Sequence, residues 1–223
     1  MNNKEKIKLV AFDMDGTIYT SEGILVPAYH IGIEKYNIKH GMNLRKPTVE
    51  ELEHQIGQPV KIIFRNLFPE MKNDAGALLE LSEIVLDEFL GMIQKKGGRV
   101  FDHVPETLKI LTNKGYKLAI ASNGREPYLA EILNPFDLKE FFVPLVTIND
   151  TTITKKADIL KTYMEQYQLT AEEIVMVGDR SSDLEAARIV NCQFIGCNYG
   201  FAAHEIETAD RVVKDFKDIL QYL

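Results

Sequence analysis

The fold is decided by the stretch Leu9-Val10-Ala11-Phe12-Asp13-Met14-Asp15-Gly16-Thr17. Its first four residues are an unbroken apolar run, which is typical of a strand buried on both faces in the middle of a parallel sheet. Parallel sheets bind ligands beyond the carboxyl ends of their strands, where the strand order reverses. Asp13 and Asp15 come at that end of the run. We therefore expect both carboxylates to lie in the functional site.

A pair of carboxylates at the mouth of a buried strand is costly unless a cation joins it. A divalent metal would meet that need, with one carboxylate as ligand and nucleophile and the other as proton carrier. Gly16 permits a tight turn, and Thr17 offers a hydroxyl and a backbone N–H to an anion. The alternative is that the Asp-x-Asp-Gly-Thr pattern caps the N-terminus of a helix.

Composition restricts the class of partner. The chain has 223 residues, a net charge of −7, 45% hydrophobic residues and a polar N-terminus. Nucleic acid and anionic membranes would repel such a chain, and no apolar run reaches the roughly 20 residues of a membrane span. The odd spacing of Cys192 and Cys197 points them to opposite faces of a strand, which argues against a mutual disulfide. We expect a cytoplasmic protein that binds a small molecule.

Strands alternate with helices along most of the chain, which predicts right-handed crossovers and a parallel sheet. The predicted fold class is α/β, with a Rossmann-like core that carries helices on both faces of the sheet. The predicted strands are residues 7–12, 116–122, 142–148, 174–177, 193–197 and 211–213. The predicted helices of the core are residues 105–114, 127–133, 156–168, 182–190 and 215–223.

The segment 22–97 interrupts this alternation directly after the first strand. Its patterns predict helices at 27–39, 49–56, 59–68 and 74–96, and Thr48-Val49-Glu50-Glu51 is a capping box. We interpret residues 22–97 as a helical cap domain above Asp13, and residues 1–21 and 98–223 as the catalytic core. The connections at 18–24 and 96–104 would be loops that act as hinges. The alternative is that these helices pack only on the flank of the sheet.

Two further strand ends carry polar groups. Ser122 and Asn123 end the second core strand, where a hydroxyl, an amide and backbone N–H groups could hold a phosphate, although Ser-Asn-Gly is also a common turn. Asp179 follows the buried run 174–177 and is a candidate ligand for a hard cation. Asp183 comes one helical turn later and could orient Asp179 or water. The alternative is that it is simply a carboxylate that the helix dipole favours at the helix N-terminus.

Lys155 and Lys156 open the helix after residue 154, where the helix dipole favours anions over cations. This mismatch indicates that one of the two lysines neutralises an anion in the site. We choose Lys156, because the helix that follows fixes its position better than that of Lys155. The alternative is that both lysines are solvated.

Four motifs, taken in their order along the chain, resemble those of the haloacid dehalogenase-like hydrolase superfamily. The motifs are Asp13-Met14-Asp15-Gly16-Thr17, Ser122 with Asn123, Lys156, and Gly178-Asp179 with Asp183. The insert resembles the family's small helical cap. Ile56-Gly57-Gln58-Pro59 and Val104-Pro105-Glu106-Thr107-Leu108 are similar to the phosphoglycolate phosphatase-like and β-phosphoglucomutase-like subgroup. Thr20-Ser21 stands where many relatives have an acid followed by serine.

The resemblance implies phosphoryl transfer rather than dehalogenation, because dehalogenating members lack the second acid that Asp15 supplies here. It implies that Asp13 attacks phosphorus and becomes an aspartyl-phosphate. It also implies that Asp15 protonates the leaving alcohol and then deprotonates the water that hydrolyses the aspartyl-phosphate. Mg²⁺ would be held by the Asp13 carboxylate, the Asp15 backbone carbonyl and Asp179. The phosphate oxygens would be held by Thr17, Ser122, Asn123 and Lys156. We expect the acidic neighbours of Asp15 to raise its pKa.

Substrate choice is expected in the cap and after Asn123, where Arg125 is a candidate contact. Lys61 and Arg65 could also face the pocket, although an exposed basic face is the simpler interpretation. The expected activity is a Mg²⁺-dependent phosphatase acting on a small phosphorylated metabolite. The alternatives are a phosphomutase, a phospho-aspartate signalling receiver and an inactive binding protein. The receiver is disfavoured, because a switch needs neither Asp15 nor a cap.

Overall fold

The computed structural model describes residues 7–149 and 151–223. Among these residues, five parallel strands form one sheet in the order β4-β1-β5-β6-β7. These strands are β1 (Leu9–Phe12), β4 (Lys117–Ile120), β5 (Ile174–Gly178), β6 (Gln193–Cys197) and β7 (Arg211–Val213). β1 is an interior strand, paired with β4 on one side and β5 on the other, and is completely buried, as its apolar run predicts. The strand order reverses at β1, so the predicted binding crevice lies at its carboxyl end.

Helices cover both faces of this sheet, and the α/β class with a Rossmann-like core is confirmed. The two faces of β1 contribute to two separate apolar clusters, with Val10 and Phe12 in one and Leu9 and Ala11 in the other. The helices of the core are α5 (Val104–Asn113), α6 (Glu126–Leu133), α7 (Lys156–Gln166) and α8 (Ser181–Val190). No described helix has both the length and the apolar character needed to cross a membrane.

The helical insert, residues 22–97, contains the predicted helices and no strand among its residues. Its α-helices are α1 (Leu25–His40), α2 (Val49–Glu53), α3 (Val60–Leu67) and α4 (Ala75–Ile93). The capping box at α2 is confirmed, because the Thr48 hydroxyl accepts from the Glu51 N–H (3.2 Å) and the Glu51 carboxylate accepts from the Thr48 N–H (2.8 Å). The division into cap and core domains stays a prediction.

The two connections to the helical insert are not simple loops. β2 (Tyr19–Thr20) pairs in antiparallel register with β3 (Arg99–Val100). The Tyr19 hydroxyl also donates to the Gly97 carbonyl oxygen (2.8 Å). The expectation of loops at 18–24 and 96–104 is therefore wrong at these four paired residues, and the role of the connections as hinges stays a prediction. Two-residue strands have no hydrophobic periodicity, so the sequence pattern carries no signal for them.

The predicted strand 142–148 is also wrong, since only a single bridge between Leu118 and Phe142 forms there. Pro144 has no N–H to donate, and the Val146 N–H donates instead to the Tyr163 hydroxyl (3.0 Å). That hydroxyl lies within hydrogen-bond distance of the Ile120 carbonyl oxygen (3.2 Å) at the end of β4. A tyrosine side chain on α7 thus occupies the position of a strand partner.

Short 3₁₀ helices fill the remaining turns. They are Pro69–Met71, Lys139–Phe141, Ala171–Glu173, Ala203–Ile206 and Phe216–Gln221. The predicted final helix, residues 215–223, is the last of these and is 3₁₀ rather than α-helical. The alternative in which Asp13 to Thr17 cap a helix is wrong, because these residues form a turn and the next helix begins at Leu25.

Candidate active site

Three strand ends bring the predicted site residues together at the carboxyl edge of the sheet. The Asp13 N–H donates to the Val177 carbonyl oxygen (2.9 Å), and the Ala121 N–H donates to the Phe12 carbonyl oxygen (2.8 Å). This register places Asp13 between the residues that follow β4 and those that follow β5. Ser122 and Asp179, which follow those two strands, are both buried there.

Lys156 binds two of these carboxylates. Its Nζ lies 2.8 Å from Asp13 Oδ2 and 2.6 Å from Asp183 Oδ1. All three side chains are almost fully buried, with 2%, 1% and 0% of their areas exposed for Lys156, Asp13 and Asp183. Burial lowers the pKa of Lys156, but the attraction of the two carboxylates outweighs it and the pKa is raised overall. Lys156 is therefore held as a cation inside the site.

The local structure explains why Lys156 and not Lys155 enters the site. Lys155 is the N-cap of α7 and is exposed. Asp158 supplies the negative charge that the helix N-terminus favours, and its Oδ2 accepts from the Thr154 N–H (3.0 Å). Lys156, the first residue of the helix, turns inward.

We call Asp13, Asp179 and Asp183 the acidic cluster. Each offers a carboxylate oxygen within 4.8 Å of the others. Asp13 Oδ1 and Asp179 Oδ1 are buried without a hydrogen-bond partner among the described residues. Burial raises the pKa of Asp179 well above its usual value, with further increases from Asp183 and Asp13. Three buried carboxylates against one lysine leave negative charge uncompensated, so the cluster fits a hard divalent cation.

Asp183 lies at the helix N-terminus, as one sequence interpretation predicts, and its role in orienting Asp179 or water stays a prediction. Its Oδ2 accepts from the Arg180 N–H (3.0 Å) at the start of α8, while its Oδ1 accepts from Lys156. Burial and the nearby Asp13 raise the pKa of Asp183 to about 7. The same residue is thus a helix cap and a member of the acidic cluster.

Gly16 makes room for the acidic cluster. Its backbone has a φ of +81°, and a Cβ placed there would lie 2.2 Å from Asp179 Oδ2. Only glycine satisfies both conditions, because other residues disfavour this backbone region and any side chain would displace Asp179. The turn after β1 is therefore shaped around a carboxylate from β5.

Asp15 lies beside the acidic cluster and faces the helical insert. Its Oδ1 accepts a hydrogen bond from the Tyr128 hydroxyl (2.7 Å). Burial is the largest cause that raises the Asp15 pKa to about 7, the bond from Tyr128 lowers it, and the charge of Asp13 adds a smaller increase. The direction agrees with the prediction, but burial rather than the acidic neighbours dominates.

Ser122, Asn123 and Thr17 are buried near this edge, and each already has a local contact. The Ser122 hydroxyl accepts from the Gly124 N–H (3.2 Å), and the Asn123 amide donates to the Gly57 carbonyl oxygen of the insert (2.8 Å). The Thr17 N–H donates to the Met14 carbonyl oxygen (3.3 Å) within the turn. Their roles in holding phosphate stay predictions.

The candidate cations of the substrate region lie in different places. Arg125 lines a cavity above Asp15, where its guanidinium pairs with Glu83 and donates to the Ser82 carbonyl oxygen (3.2 Å). Lys61 and Arg65 are exposed on α3. Residues on another face of that helix, Val60, Ile63 and Phe64, line the cavity.

Sequence reasoning missed Tyr128 and Arg180. Tyr128 comes three residues after the predicted contact Arg125, but only the tertiary structure shows that its hydroxyl reaches Asp15. Arg180 is buried, and its two Nη atoms donate to a Glu205 carboxylate oxygen and to the Glu53 carbonyl oxygen of the insert, both at 3.3 Å. Its position between Asp179 and Ser181 in the fourth motif is the one signal that could have identified it.

A cavity of about 120 Å³ separates the helical insert from the strand ends. Asp15 and Ser122 lie on its core side, and α1, α3 and α4 line the opposite side. The candidate proton carrier Asp15 and the polar strand end at Ser122 and Asn123 thus line a cavity of small-molecule size. This arrangement is suited to the transfer of a group from a small ligand to a carboxylate.

Comparison with known proteins agrees with this geometry. The family model described as haloacid dehalogenase-like hydrolase matches residues 10–197. The phosphoglycolate phosphatase of Aliivibrio fischeri is 28% identical over 228 residues, which cover 98% of this chain and 97% of that protein.

Solved structures share the fold. A predicted phosphoglycolate phosphatase from Haemophilus somnus superposes with a TM-score of 0.81 at 22% identity and covers 97% of each chain. The β-phosphoglucomutase of Clostridium difficile superposes with a TM-score of 0.76 at 14% identity and covers 96% of this chain and 93% of its own. The expectation of an enzyme of the phosphatase class is confirmed by the family and these relatives. The chain belongs to the haloacid dehalogenase-like hydrolases.

Proposed function

We propose that this protein is a Mg²⁺-dependent phosphatase that hydrolyses a small phosphate monoester through an aspartyl-phosphate on Asp13. The observation that carries the proposal is the ion pair between Asp13 and Lys156 at the centre of the carboxyl edge, only 2.8 Å long and almost fully buried. A lysine held there can neutralise both an anionic nucleophile and a phosphate that approaches it.

In the first step, an Asp13 oxygen attacks phosphorus and the bond from phosphorus to the alcohol oxygen breaks. Asp15 gives its proton to that oxygen, so the alcohol leaves neutral. The bond from Tyr128 occupies Asp15 Oδ1 and leaves Oδ2 for the proton. Ser122, Asn123, Thr17 and Lys156 would hold the phosphate oxygens.

In the second step, water attacks the phosphorus of the aspartyl-phosphate. Asp15, now ionised, takes a proton from that water, and the bond between phosphorus and the Asp13 oxygen breaks. Inorganic phosphate leaves, and both carboxyl groups return to their starting states. One residue thus serves as acid and then as base, which requires a fixed carboxyl orientation.

Mg²⁺ would be held by the carboxylates of Asp13 and Asp179 and by the backbone carbonyl of Asp15, with Asp183 close enough to contribute or to orient them. When bound, it supplies charge that offsets the repulsion between the carboxylates and the phosphate. The two unpartnered oxygens of the acidic cluster support this assignment.

The substrate is proposed as a small phosphorylated metabolite. Phosphoglycolate is one candidate, because relatives that match almost the whole chain are named for it. A phosphomutase remains the alternative that the solved β-phosphoglucomutase suggests by its fold alone.

The test is a screen of phosphate monoesters with and without Mg²⁺, in which released inorganic phosphate is measured. We expect activity that chelation with EDTA abolishes and Mg²⁺ restores. Asp13→Asn should lower kcat at least about 10,000-fold, because the nucleophile is lost. Asp87→Asn, an exposed carboxylate on α4, is the control and should have wild-type activity. Hydrolysis that survives Asp13→Asn would reject the nucleophile.

The rival functions give different results in the same assay. A mutase would transfer the phosphoryl group to a second sugar phosphate and would need a bisphosphate activator, whereas we expect phosphate release without one. A signalling receiver would accumulate a long-lived phosphoenzyme after a pulse of a small phosphodonor, whereas we expect the intermediate to turn over.

A further inference from the structure

We infer that the substrate is the phosphate monoester of a small apolar alcohol, branched or aromatic, rather than of a hydroxy acid or a polyol. This inference rests on the proposed function and adds the chemistry of the alcohol that leaves. It follows from the walls of the 120 Å³ cavity above Asp15, from the state of its polar groups and from its size.

An aromatic wall forms one side of the cavity: Tyr29, Phe64, Phe89 and Tyr128. The Tyr29 ring stacks on Phe64 with centroids 5.7 Å apart and meets the edge of Phe89 at 5.9 Å. Phe89 in turn meets Tyr128 at 6.0 Å, and the Tyr128 hydroxyl donates to Asp15. The wall therefore runs from the helical insert down to the proposed proton carrier. An alcohol whose oxygen lies at Asp15 would place its carbon atoms against these rings.

Three of the polar side chains that line the cavity, those of Ser82, Gln55 and Asn123, are engaged with the protein. The Ser82 hydroxyl donates to the Leu79 carbonyl oxygen (2.7 Å), and the Gln55 amide oxygen accepts from Asn66 (2.9 Å). The Asn123 amide donates to Gly57 (2.8 Å). A buried hydroxyl without a partner costs about 1–3 kcal/mol. The several hydroxyls of a polyol would therefore bind poorly here.

Arg125 is the one lysine or arginine among the described residues that line the cavity, and its charge is already balanced by Glu83. Two of its five N–H donors are used, by Glu83 and by the Ser82 carbonyl oxygen, and the Arg125 Nε is buried without a partner. A second anionic group on the substrate, such as the carboxylate of phosphoglycolate, would have to compete with Glu83 for this guanidinium. The pairing thus selects against an alcohol portion that carries a negative charge.

The size of the cavity sets the size of the alcohol. An engineered apolar cavity of about 150 Å³ in another protein is known to admit benzene. A cavity of about 120 Å³ is therefore suited to a group of roughly five or six carbons.

The first experiment compares kcat/KM of the full-length protein with Mg²⁺ for four esters: benzyl phosphate, 3-methylbutyl phosphate, glycerol 1-phosphate and phosphoglycolate. All four release an alkyl alcohol, so leaving-group reactivity does not favour the apolar pair as phenyl phosphate would. We expect the apolar esters to exceed the other two by at least about tenfold, the smallest discrimination typical of an apolar pocket. A preference for phosphoglycolate or glycerol 1-phosphate would overturn the inference while the proposed phosphatase stands.

The second experiment removes the ion pair between Glu83 and Arg125 and measures the effect on substrate preference. Glu83→Gln should raise kcat/KM for phosphoglycolate relative to benzyl phosphate by about tenfold, because the guanidinium gains freedom to pair with the carboxylate. Glu80→Gln, one turn earlier on α4 and paired with Lys39 and His40, is the matched control and should leave the ratio unchanged. The ratio between two substrates cancels any general effect on folding. An unchanged ratio in Glu83→Gln would contradict the role of the pair.

A third measurement does not depend on turnover. Benzylphosphonate and phosphonoacetate are non-hydrolysable analogues of the two kinds of ester, and each stabilises the protein in proportion to its binding. We expect benzylphosphonate to raise the thermal unfolding midpoint more than phosphonoacetate at equal concentration. The reverse order would overturn the inference. If benzylphosphonate binds but no ester is hydrolysed, the proposed phosphatase fails and the assignment of the cavity remains.

Discussion

The two sides of the candidate active site are held in place by different interactions. The core side is charged and is fixed by the sheet, since hydrogen bonds between strands place Asp13, Ser122 and Asp179 at adjacent strand ends. The insert side is apolar and is formed by side chains of α1, α3 and α4. The difference teaches that strand register places the groups of the proposed reaction, whereas helix packing shapes the cavity proposed for the substrate.

The largest effect is expected on the core side, at Lys156. Lys156→Met should lower kcat about 100- to 1,000-fold, because a preorganised positive charge at the phosphate is lost. Phosphate release from the best ester measures it. Lys155→Met changes the exposed neighbour and should leave kcat unchanged. Equal effects of the two substitutions would mean that burial of Lys156 is not the source of its function.

A somewhat smaller effect is expected at the turn after β1. Gly16→Ala should lower kcat/KM about 100-fold, because its Cβ would displace Asp179 from the acidic cluster. Gly23→Ala is the matched control, since Gly23 has nearly the same φ (+82°) and open space around it. Both variants should lose about 1–2 kcal/mol of unfolding free energy through backbone strain alone. If Gly23→Ala loses as much activity as Gly16→Ala, crowding against Asp179 is not the cause.

Tyr128 joins the two sides and should give an intermediate effect. Tyr128→Phe keeps the ring of the aromatic wall but removes the hydrogen bond to Asp15, which we expect to lower kcat about tenfold with little change in KM. Tyr29→Phe alters another hydroxyl of the aromatic wall and should leave kcat near the wild-type value. A change in KM alone for Tyr128→Phe would assign the hydroxyl to substrate binding instead of to Asp15.

The smallest effect is expected on the insert side. Ile63→Val removes one methylene from the cavity and should raise KM for 3-methylbutyl phosphate about threefold without changing kcat. Ile62→Val removes the same group from an exposed position of α3, where the side chain is 41% exposed, and should change neither constant. A fall in kcat for Ile63→Val would show that the insert side contributes to the chemistry and would break the contrast between the two sides.

The same contrast explains what could be predicted from the sequence. The strands that carry Asp13 and Asp179 are buried apolar runs, and parallel strands must bring their carboxyl ends to one edge. Lys156 was predictable because a cation at a helix N-terminus is unfavourable unless it has a partner. These arguments need only local sequence pattern and sheet topology, so the positions of the core-side residues could be predicted from the sequence.

The insert side needs information that local pattern lacks. The apolar spacing of α3 and α4 predicts helices but does not say which apolar side chains pack inside the insert and which face the cavity. Tyr128 and Phe89 are distant in sequence and meet only through packing. The predicted strand 142–148 failed for the same reason, since the Tyr163 hydroxyl that replaces its partner lies on a later helix.

The antiparallel pair of β2 and β3, here called the ribbon, links both connections of the insert to the turn that holds Asp15. The Gly16 N–H donates to the Tyr19 carbonyl oxygen (2.9 Å), and Tyr19 pairs with Val100 on the return connection. Both passages into the insert therefore meet within four residues of Asp15. A rotation of the insert about this ribbon would pull on the turn that holds Asp15, so in the proposed mechanism entry of the ester and the orientation of the acid would depend on one short piece of backbone.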